Sequence, residues 1–376
     1  MTRFCIATTI HQGRDSLAHL ALVGAKRVLV VTDPFMATAP VMQTVQQYLS
    51  GAVVHVFSQV LPDPTISQVS AGVEAYLDAE PDTVVALGGG SVLDTAKAIC
   101  KVAAEHGDSP RNGLVAIPST SGSGSEVTSF AVITSEHPHR KVVLVSDDMA
   151  PTMAILDPEV TRTLPASQTA DTGMDAMSHA LEAYVCTARN DFSDAFAEKA
   201  SQLIFQNLEA VVHRPDDLGA RERMHNAATM AAMAFENSGL GIVHSLSHAL
   251  GSAFNKPHGR LNAVLMPAVM EFNAGPVTYG PAGISQVADR YAHIAHLLGL
   301  EASTRRNLAL ALCAEVRRLR AAIGIPDSLH ELGIDRTALA EAIPGLTATA
   351  LEDTCTPANP VAPTAEDLAG ILRAVS

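Results

Sequence analysis

Long apolar runs, clustered cysteines and basic patches are all missing from this 376-residue chain. No stretch is apolar enough for a secretory segment or a membrane span, so the expectation is a cytoplasmic protein that does not enter the bilayer. The five cysteines, Cys5, Cys100, Cys186, Cys313 and Cys355, are odd in number, scattered and never spaced as CxxC. That excludes a disulfide framework and a thiolate metal site and leaves reduced thiols. Only 25 basic residues face 39 acidic ones, a formal net charge of −14 that repels phosphate backbones and anionic lipid heads. Nucleic acid and membrane surfaces are therefore not expected partners. Polar low-complexity tracts and internal repeats are absent too, which excludes a disordered or repeat protein. At this length, with 47% hydrophobic residues, two globular domains are the default.

What is present divides near the segment LDPEVTRTLP. Before it, the apolar runs RVLVVTD (27–33), AVVHVFS (52–58), DTVVALGGG (82–90), GLVAIPST (113–120), KVVLVS (141–146) and MAILDP (153–158) read as strands. They alternate with the helical patterns APVMQTVQQYLS, TISQVSAGVEAYLDA and SVLDTAKAICKVAAEH, the arrangement of a parallel sheet flanked by helices. After Leu164 the strand signal stops. TADTGMDAMSHALEAYV, SDAFAEKASQLIFQNLEAVV, ARERMHNAATMAAMAFEN, GIVHSLSHALGSAF, GISQVADRYAHIAHLLGL and TRRNLALALCAEVRRLRAAIG are amphipathic and separated by capping residues, Gly or Pro. The expected fold is an α/β dinucleotide-binding domain over residues 1–164 followed by an all-α domain over 165–376.

In TVVALGGGSVLDTAKAI a strand runs into three glycines, Ser91 and a helix. Glycines let backbone N–H groups approach an anion, and the helix N-terminus adds its positive dipole end. The pattern is neither GxGxxG nor a Walker loop, so a nucleotide fold of less common chain order is implied. Asp33, ending RVLVVTD, is the candidate for the adenosine ribose, where a carboxylate favours NAD over NADP. Capping of the turn before Pro34 is its alternative role. A second small-residue loop, PSTSGSGSEV (118–127), follows another strand and offers hydroxyls and amides to the same cofactor.

TGMDAMSHALEAY places Asp175 and His179 at i and i+4, on one helix face. GIVHSLSHALGSAFNKPHG adds His244, His248 and His258. One carboxylate with two or three imidazoles suits Zn²⁺ or Fe²⁺, not Mg²⁺, and leaves a position for a substrate oxygen. Helical spacing alone pairs His244 with His248. No HExxH is present, which argues against a metalloprotease. A nicotinamide cradle and a Lewis-acid metal in one chain suggest hydride transfer to a polarised carbonyl.

Four motifs together resemble those of the iron-containing, or group III, alcohol dehydrogenase family: GGGSVLDTAK, IPSTSGSGSEVT, TGMDAMSHALEAY and GLGIVHSLSHALGSAFNKPHGRLNAVLMP. The stretches FSQVLPDPTISQV, DFSDAFAEKASQLIFQNLEAVV and RMHNAATMAAMAF resemble the branch that serves propanediol utilisation beside or inside bacterial microcompartments. The resemblance implies a dinucleotide-binding domain and a helical domain, NAD(H) and Fe²⁺ or Zn²⁺ as cofactors, a short-chain alcohol or aldehyde as substrate, and a homo-oligomer. It puts the metal on Asp175, His179, His244 and His258, with His248 beside the nicotinamide and reacting carbon as a proton relay or an orienting group. Cofactor contacts fall on Asp33, Asp63, Gly89, Gly90, Ser91, Asp94, Ser119, Thr120, Ser123 and Lys141, and the substrate pocket on Phe130, Phe254 and Cys355. Departures from the family pattern are Asp63 for a common Asn, serines at 119, 121 and 123 for Thr, Ala and Thr, and NPV at Asn359–Val361 for NPR. A lyase of the dehydroquinate synthase type, or a nucleotide- and metal-binding regulator without turnover, are the alternatives to the dehydrogenase.

Overall fold

The computed structural model describes residues 3–137, 139–275 and 284–376. The elements of its first part are β1 (Thr9–Gln12), β2 (Arg27–Thr32), α1 (Pro40–Tyr48), β3 (Val53–Phe57), α2 (Ile66–Ala79), β4 (Thr83–Gly88), α3 (Gly90–Glu105), β5 (Leu114–Pro118), β6 (Phe130–Glu136), β7 (His139–Val145) and β8 (Met153–Leu156). Helices follow: α4 (Ala166–Val185), α5 (Asp191–His213), α6 (Leu218–Ser238), α7 (Ile242–Phe254), α8 (His258–Ala274), α9 (Gln286–Leu297), α10 (Arg305–Ala322), α11 (Arg336–Glu352) and α12 (Ala365–Ala374). Gly283, at the head of the sequence pattern that contains α9, lies outside the described residues. No helix among the described residues is long and apolar enough to cross a membrane.

The chain forms two compact units. Cys5–Leu164 and Pro215–Thr229 make up the sheet unit, whose six-stranded sheet runs in the order β1-β8-β5-β4-β2-β3 with every pairing parallel. Strand periodicity sorts its β-branched residues into two cores. Leu29, Val31, Val84 and Ala86 point to the face covered by α2 and α3, whereas Val28, Val30, Val85 and Leu87 point to the face covered by α1 and the turn holding Leu17 and Leu20. The strand read from KVVLVS departs from the parallel expectation. It is β7, which pairs antiparallel with β6 as a separate hairpin, because the two strands adjoin in sequence and a short turn permits only that pairing. β1 and β6 were not among the strands expected from the sequence; β1 is a short polar run, whereas β6 opens on the β-prone FAVIT.

The helical unit holds Pro165–Arg214 and Met230–Ser376, together with the N-terminal segment that ends at Phe4. Small residues let its helices approach closely: Ala180 of α4, Ala200 of α5 and Ala231 of α6 form one fully buried cluster. α8 runs through Pro267 and α11 through Pro344, each helix continuing past an imino acid that cannot donate to the ladder.

Between β5 and β6 the sheet unit carries the serine-rich loop, pinned by buried polar groups. Lys97 Nζ donates to Thr128 Oγ1 at 3.0 Å and to the Phe130 carbonyl at 2.9 Å. Thr229 donates to Glu126 at 2.6 Å, and His225 Nδ1 lies 3.0 Å from Ser121 Oγ. Burial lowers the His225 pKa to about 4, with the Pro118 carbonyl opposing and Arg221 adding to the shift. The unfolded chain therefore takes up a proton near pH 6.5 that the folded chain refuses until about pH 4. Stability from this ring is present above pH 6.5 and lost as pH falls through that window, on the order of 3 kcal/mol in all. His225→Gln is expected to flatten the fall in unfolding free energy between pH 6.5 and 4, read from urea midpoints. An acid limb of unchanged slope contradicts this account of His225.

Candidate metal centre and dinucleotide-binding loops

Strand order explains where the candidate nucleotide residues stand. From β2 the chain moves outward to β3, whereas from β4 it moves the other way to β5, so the direction of winding reverses between β2 and β4. Ligands of open α/β sheets bind at the carboxyl ends of strands at such a reversal. Thr32 pairs with Leu87, which sets Asp33, just after β2, beside the glycine turn just after β4. Asp33 precedes the glycines in sequence yet neighbours them in space. Its Oδ1 accepts from the amides of Phe35 and Met36, both at 2.9 Å, so the capping role is real. Oδ2 makes no protein hydrogen bond among the described residues and remains available to a ribose.

Gly89 caps α3 and Gly90 and Ser91 open it, so the amides of the first turn face the loop. The serine-rich loop lies directly over this turn. A Cβ on Gly90 would fall 2.9 Å from Ser123 Cβ, and Thr120 lies against Gly89, so glycine is required for the loops to close on each other. Ser119 donates its amide to the Gly88 carbonyl at 2.9 Å. Asp94 is half-buried, accepting from Ser125 Oγ at 2.6 Å and the Val132 amide at 2.9 Å. It acts on the loop's shape. Asp63 and Lys141 pair with each other at 2.7 Å, on the surface, with Asp63 in the left-handed region at φ 53° that Asn and Asp tolerate best. Phe130, at the start of β6, is half-buried in this unit.

In the helical unit four side chains meet around one oxygen, Asp175 Oδ1. His179 Nε2, one turn along α4, lies 3.8 Å away. His244 Nε2, from α7, is also at 3.8 Å, and His258 Nε2, the first residue of α8, is at 3.5 Å. Asn255 takes the left-handed conformation that ends α7, and Pro257 opens α8, so the chain returns His258 toward the residues it left at His244. The approach of α8 to α4 needs Gly259: a Cβ there would lie 2.0 Å from the Asp171 carbonyl oxygen.

Neighbours orient the rings. Glu182, a further turn along α4, hydrogen-bonds His244 Nδ1 and accepts from the Val243 amide at 2.7 Å. Ser247 Oγ stands 3.0 Å from His258 Nδ1. Both arrangements turn Nε2 toward Asp175, the outer support that metal-bound histidines commonly have. Glu182 and Ser247 were not singled out from sequence; Glu182 shares the face of Asp175 and His179, a signal that helical arithmetic can find. Burial raises the Asp175 carboxyl, but His179, His258 and His244 outweigh it and hold the group below the usual carboxylate range. Burial lowers His244, but Glu182 and Asp175 reverse that and raise it to about 9. The site thus draws positive charge inward. Asn262 Nδ2 lies 2.8 Å from Asp175 Oδ1 and 3.1 Å from His258 Nε2, while its buried Oδ1 has no hydrogen-bond partner. One ionised carboxylate, three imidazoles and an unpartnered amide oxygen are a donor set that fits a divalent transition ion.

His248 emerges one turn after His244, stacks on the His258 ring at 5.2 Å between centroids, and hydrogen-bonds Asp353. Phe254 ends α7 half-buried, and burial pushes the Cys355 thiol up, keeping it protonated. Asn359 of the NPV sequence is a buried pin, donating to Asn273 Oδ1 at 2.8 Å and to the Val361 carbonyl at 2.7 Å.

This centre, with the glycine turn, is joined by a match in sequence over nearly all of the chain. Residues 7–158 match the family model of iron-containing alcohol dehydrogenases, and residues 169–376 match the C-terminal model of the Fe-containing alcohol dehydrogenase family. The chain belongs to the iron-containing alcohol dehydrogenase family, oxidoreductases acting on CH–OH groups. It is 38% identical over 376 residues to the 1-propanol dehydrogenase PduQ of Salmonella typhimurium, covering 99% of each chain. It is 39% identical over 392 residues to the NAD-dependent methanol dehydrogenase of Bacillus methanolicus, again covering 99% of each. Its fold superposes on a crystal structure of 1,3-propanediol oxidoreductase with a TM-score of 0.91 at 33% identity, covering 100% of both chains.

Gly259→Ala is expected to leave far-UV circular dichroism near wild type and to weaken Zn²⁺ binding by about ten- to a hundredfold, the scale set by losing a ligand's support. Competition with a chelator of known affinity measures it. Wild-type affinity in this variant removes the proposed need for close approach of α8 to α4.

Proposed function

We propose that the protein interconverts a short primary alcohol and its aldehyde with NAD(H) and a divalent metal ion, Fe²⁺ or Zn²⁺. One observation carries this reading: three imidazoles and one ionised carboxylate converge on a single buried point, Asp175 Oδ1, in a chain of this family. Asp175, His179, His244 and His258 would hold the ion. When bound, NAD supplies the hydride acceptor or donor and the metal an electrophile for the substrate oxygen.

The remaining work belongs to side chains of this protein. Backbone amides at Gly90 and Ser91 and the hydroxyls of Ser119, Thr120 and Ser123 take the cofactor's phosphates and nearer ribose. Asp33 Oδ2 accepts from the adenosine ribose hydroxyls and repels a 2′-phosphate, which favours NAD over NADP. Asp63 and Lys141 flank the adenine side as an ion pair, and Asp94 holds the covering loop. His248 takes or returns the alcohol proton. Phe130, Phe254 and Cys355 favour a small apolar chain on the substrate. Arg260, the basic neighbour of the site, is bound to Asp171 at 2.8 Å, which disfavours the polar anion a lyase of the dehydroquinate synthase type would require.

Similarity to a 1-propanol dehydrogenase supports propanal and 1-propanol as the pair, and the sequence resemblance to the propanediol-utilisation branch supports service beside or inside a bacterial microcompartment. Family resemblance supports a homo-oligomer. Protein reconstituted with Zn²⁺, or with Fe²⁺ under anaerobic conditions, is expected to oxidise NADH in the presence of propanal or acetaldehyde. His179→Ala is expected to lose both the ion and this turnover. NADH oxidation absent with both metals contradicts the reading, and full metal occupancy in His179→Ala contradicts the ligand set.

A further inference from the structure

We propose that Asp353 is a positioning residue that fixes the ring orientation and tautomer of His248, so that Nδ1 carries the hydrogen and Nε2 presents a lone pair for proton transfer. The proposal rests on the reading of His248 as the proton-handling group.

Asp353 directly follows α11, 105 residues from His248 in sequence, and its Oδ2 lies 2.9 Å from His248 Nδ1. An ionised carboxylate has only acceptor sites, so this contact requires the hydrogen on Nδ1. The other oxygen, Oδ1, accepts from the Cys355 amide at 2.9 Å and from Ser245 Oγ at 3.3 Å. Thr356 Oγ1 in turn lies 2.8 Å from Ser245 Oγ, tying the short turn after α11 to the body of α7. Burial raises the Asp353 carboxyl, and the His248 and Cys355 hydrogen bonds overcome it, holding the group ionised well below the usual range.

His248 has less support of other kinds. Its side chain is 32% exposed, against 2% for His244, and packing leaves it freer to turn. A ring in that position holds one orientation only if something grips Nδ1, and the tautomer follows from the same grip. His248, Asp353 and Cys355 also lie close enough to suggest a second ion site. The hydrogen bonds argue otherwise, because both carboxylate oxygens are filled by donors, with the amide and the protonated thiol of Cys355 both directed at Asp353.

Asp353→Asn separates the possibilities. Two donors, the Cys355 amide and Ser245 Oγ, would keep the amide oxygen of the new side chain facing them. Its NH₂ would then face His248 and donate to Nδ1, moving the ring hydrogen to Nε2. In Zn²⁺-loaded protein labelled with ¹⁵N-histidine, His248 of the wild type is expected to show the Nδ1–H pattern and Asp353→Asn the Nε2–H pattern. In kinetics, kcat for NADH-dependent propanal reduction should fall about 100-fold, the lower end of what a placed proton-transfer group contributes, while zinc content and NADH affinity hold. An unchanged tautomer, an inverted tautomer with unchanged kcat, or loss of zinc each overturns the proposal. Failure of the underlying reading looks different: a wild type without turnover, or a His248→Phe variant with full turnover, leaves the ¹⁵N comparison to decide the Asp353 to His248 link alone.

Discussion

A buried carboxylate, Asp175, sets the terms for the helical unit. Its oxygen is taken out of water and approached by imidazoles from α4, α7 and α8, and a charge in that setting persists only with matched partners. Everything around it serves that match. Gly259 lets α8 come near enough to α4, Asn255 and Pro257 turn the chain between α7 and α8, and Glu182 and Ser247 aim the rings. A divalent ion at this point would satisfy the same carboxylate and rings together, and folding of this unit and metal binding would then draw on one set of contacts.

The sheet unit would answer a different demand under the proposed function, the holding of a flexible dianionic pyrophosphate. A helix N-terminus and small side chains would meet that demand. Lys97 and Glu126, both buried, and the half-buried Asp94 fasten the serine-rich loop over the glycine turn. Rigid supports of this kind let a loop of serines and glycines keep a defined shape.

Local patterns were legible in the sequence and long-range ones were not. Asp175 and His179 declare themselves because one helical turn separates them, and the glycine turn because strand, glycines and helix are consecutive. His258 could not be read from spacing, since a left-handed Asn255 and Pro257 break the helical register between it and His248; only the family likeness pointed to it. α8 and α11, not among the expected helices, each contain a proline, Pro267 and Pro344, that weighs against a helix in any local pattern. β1 is four residues with little apolar alternation, whereas the FAVIT run that opens β6 is β-prone and was legible, though not counted among the expected strands. The place of Asp33 depends on strand order, a property of the whole sheet. Asp353 is invisible for the same reason, its partner lying 105 residues away.

X-ray absorption at the metal edge of the Zn²⁺- or Fe²⁺-loaded protein tests the central claim most directly. The account predicts a shell of nitrogen and oxygen scatterers with the outer-shell pattern of the three imidazoles that surround Asp175, and no sulfur. A sulfur scatterer, or a shell without imidazole, would place the ion elsewhere and contradict it.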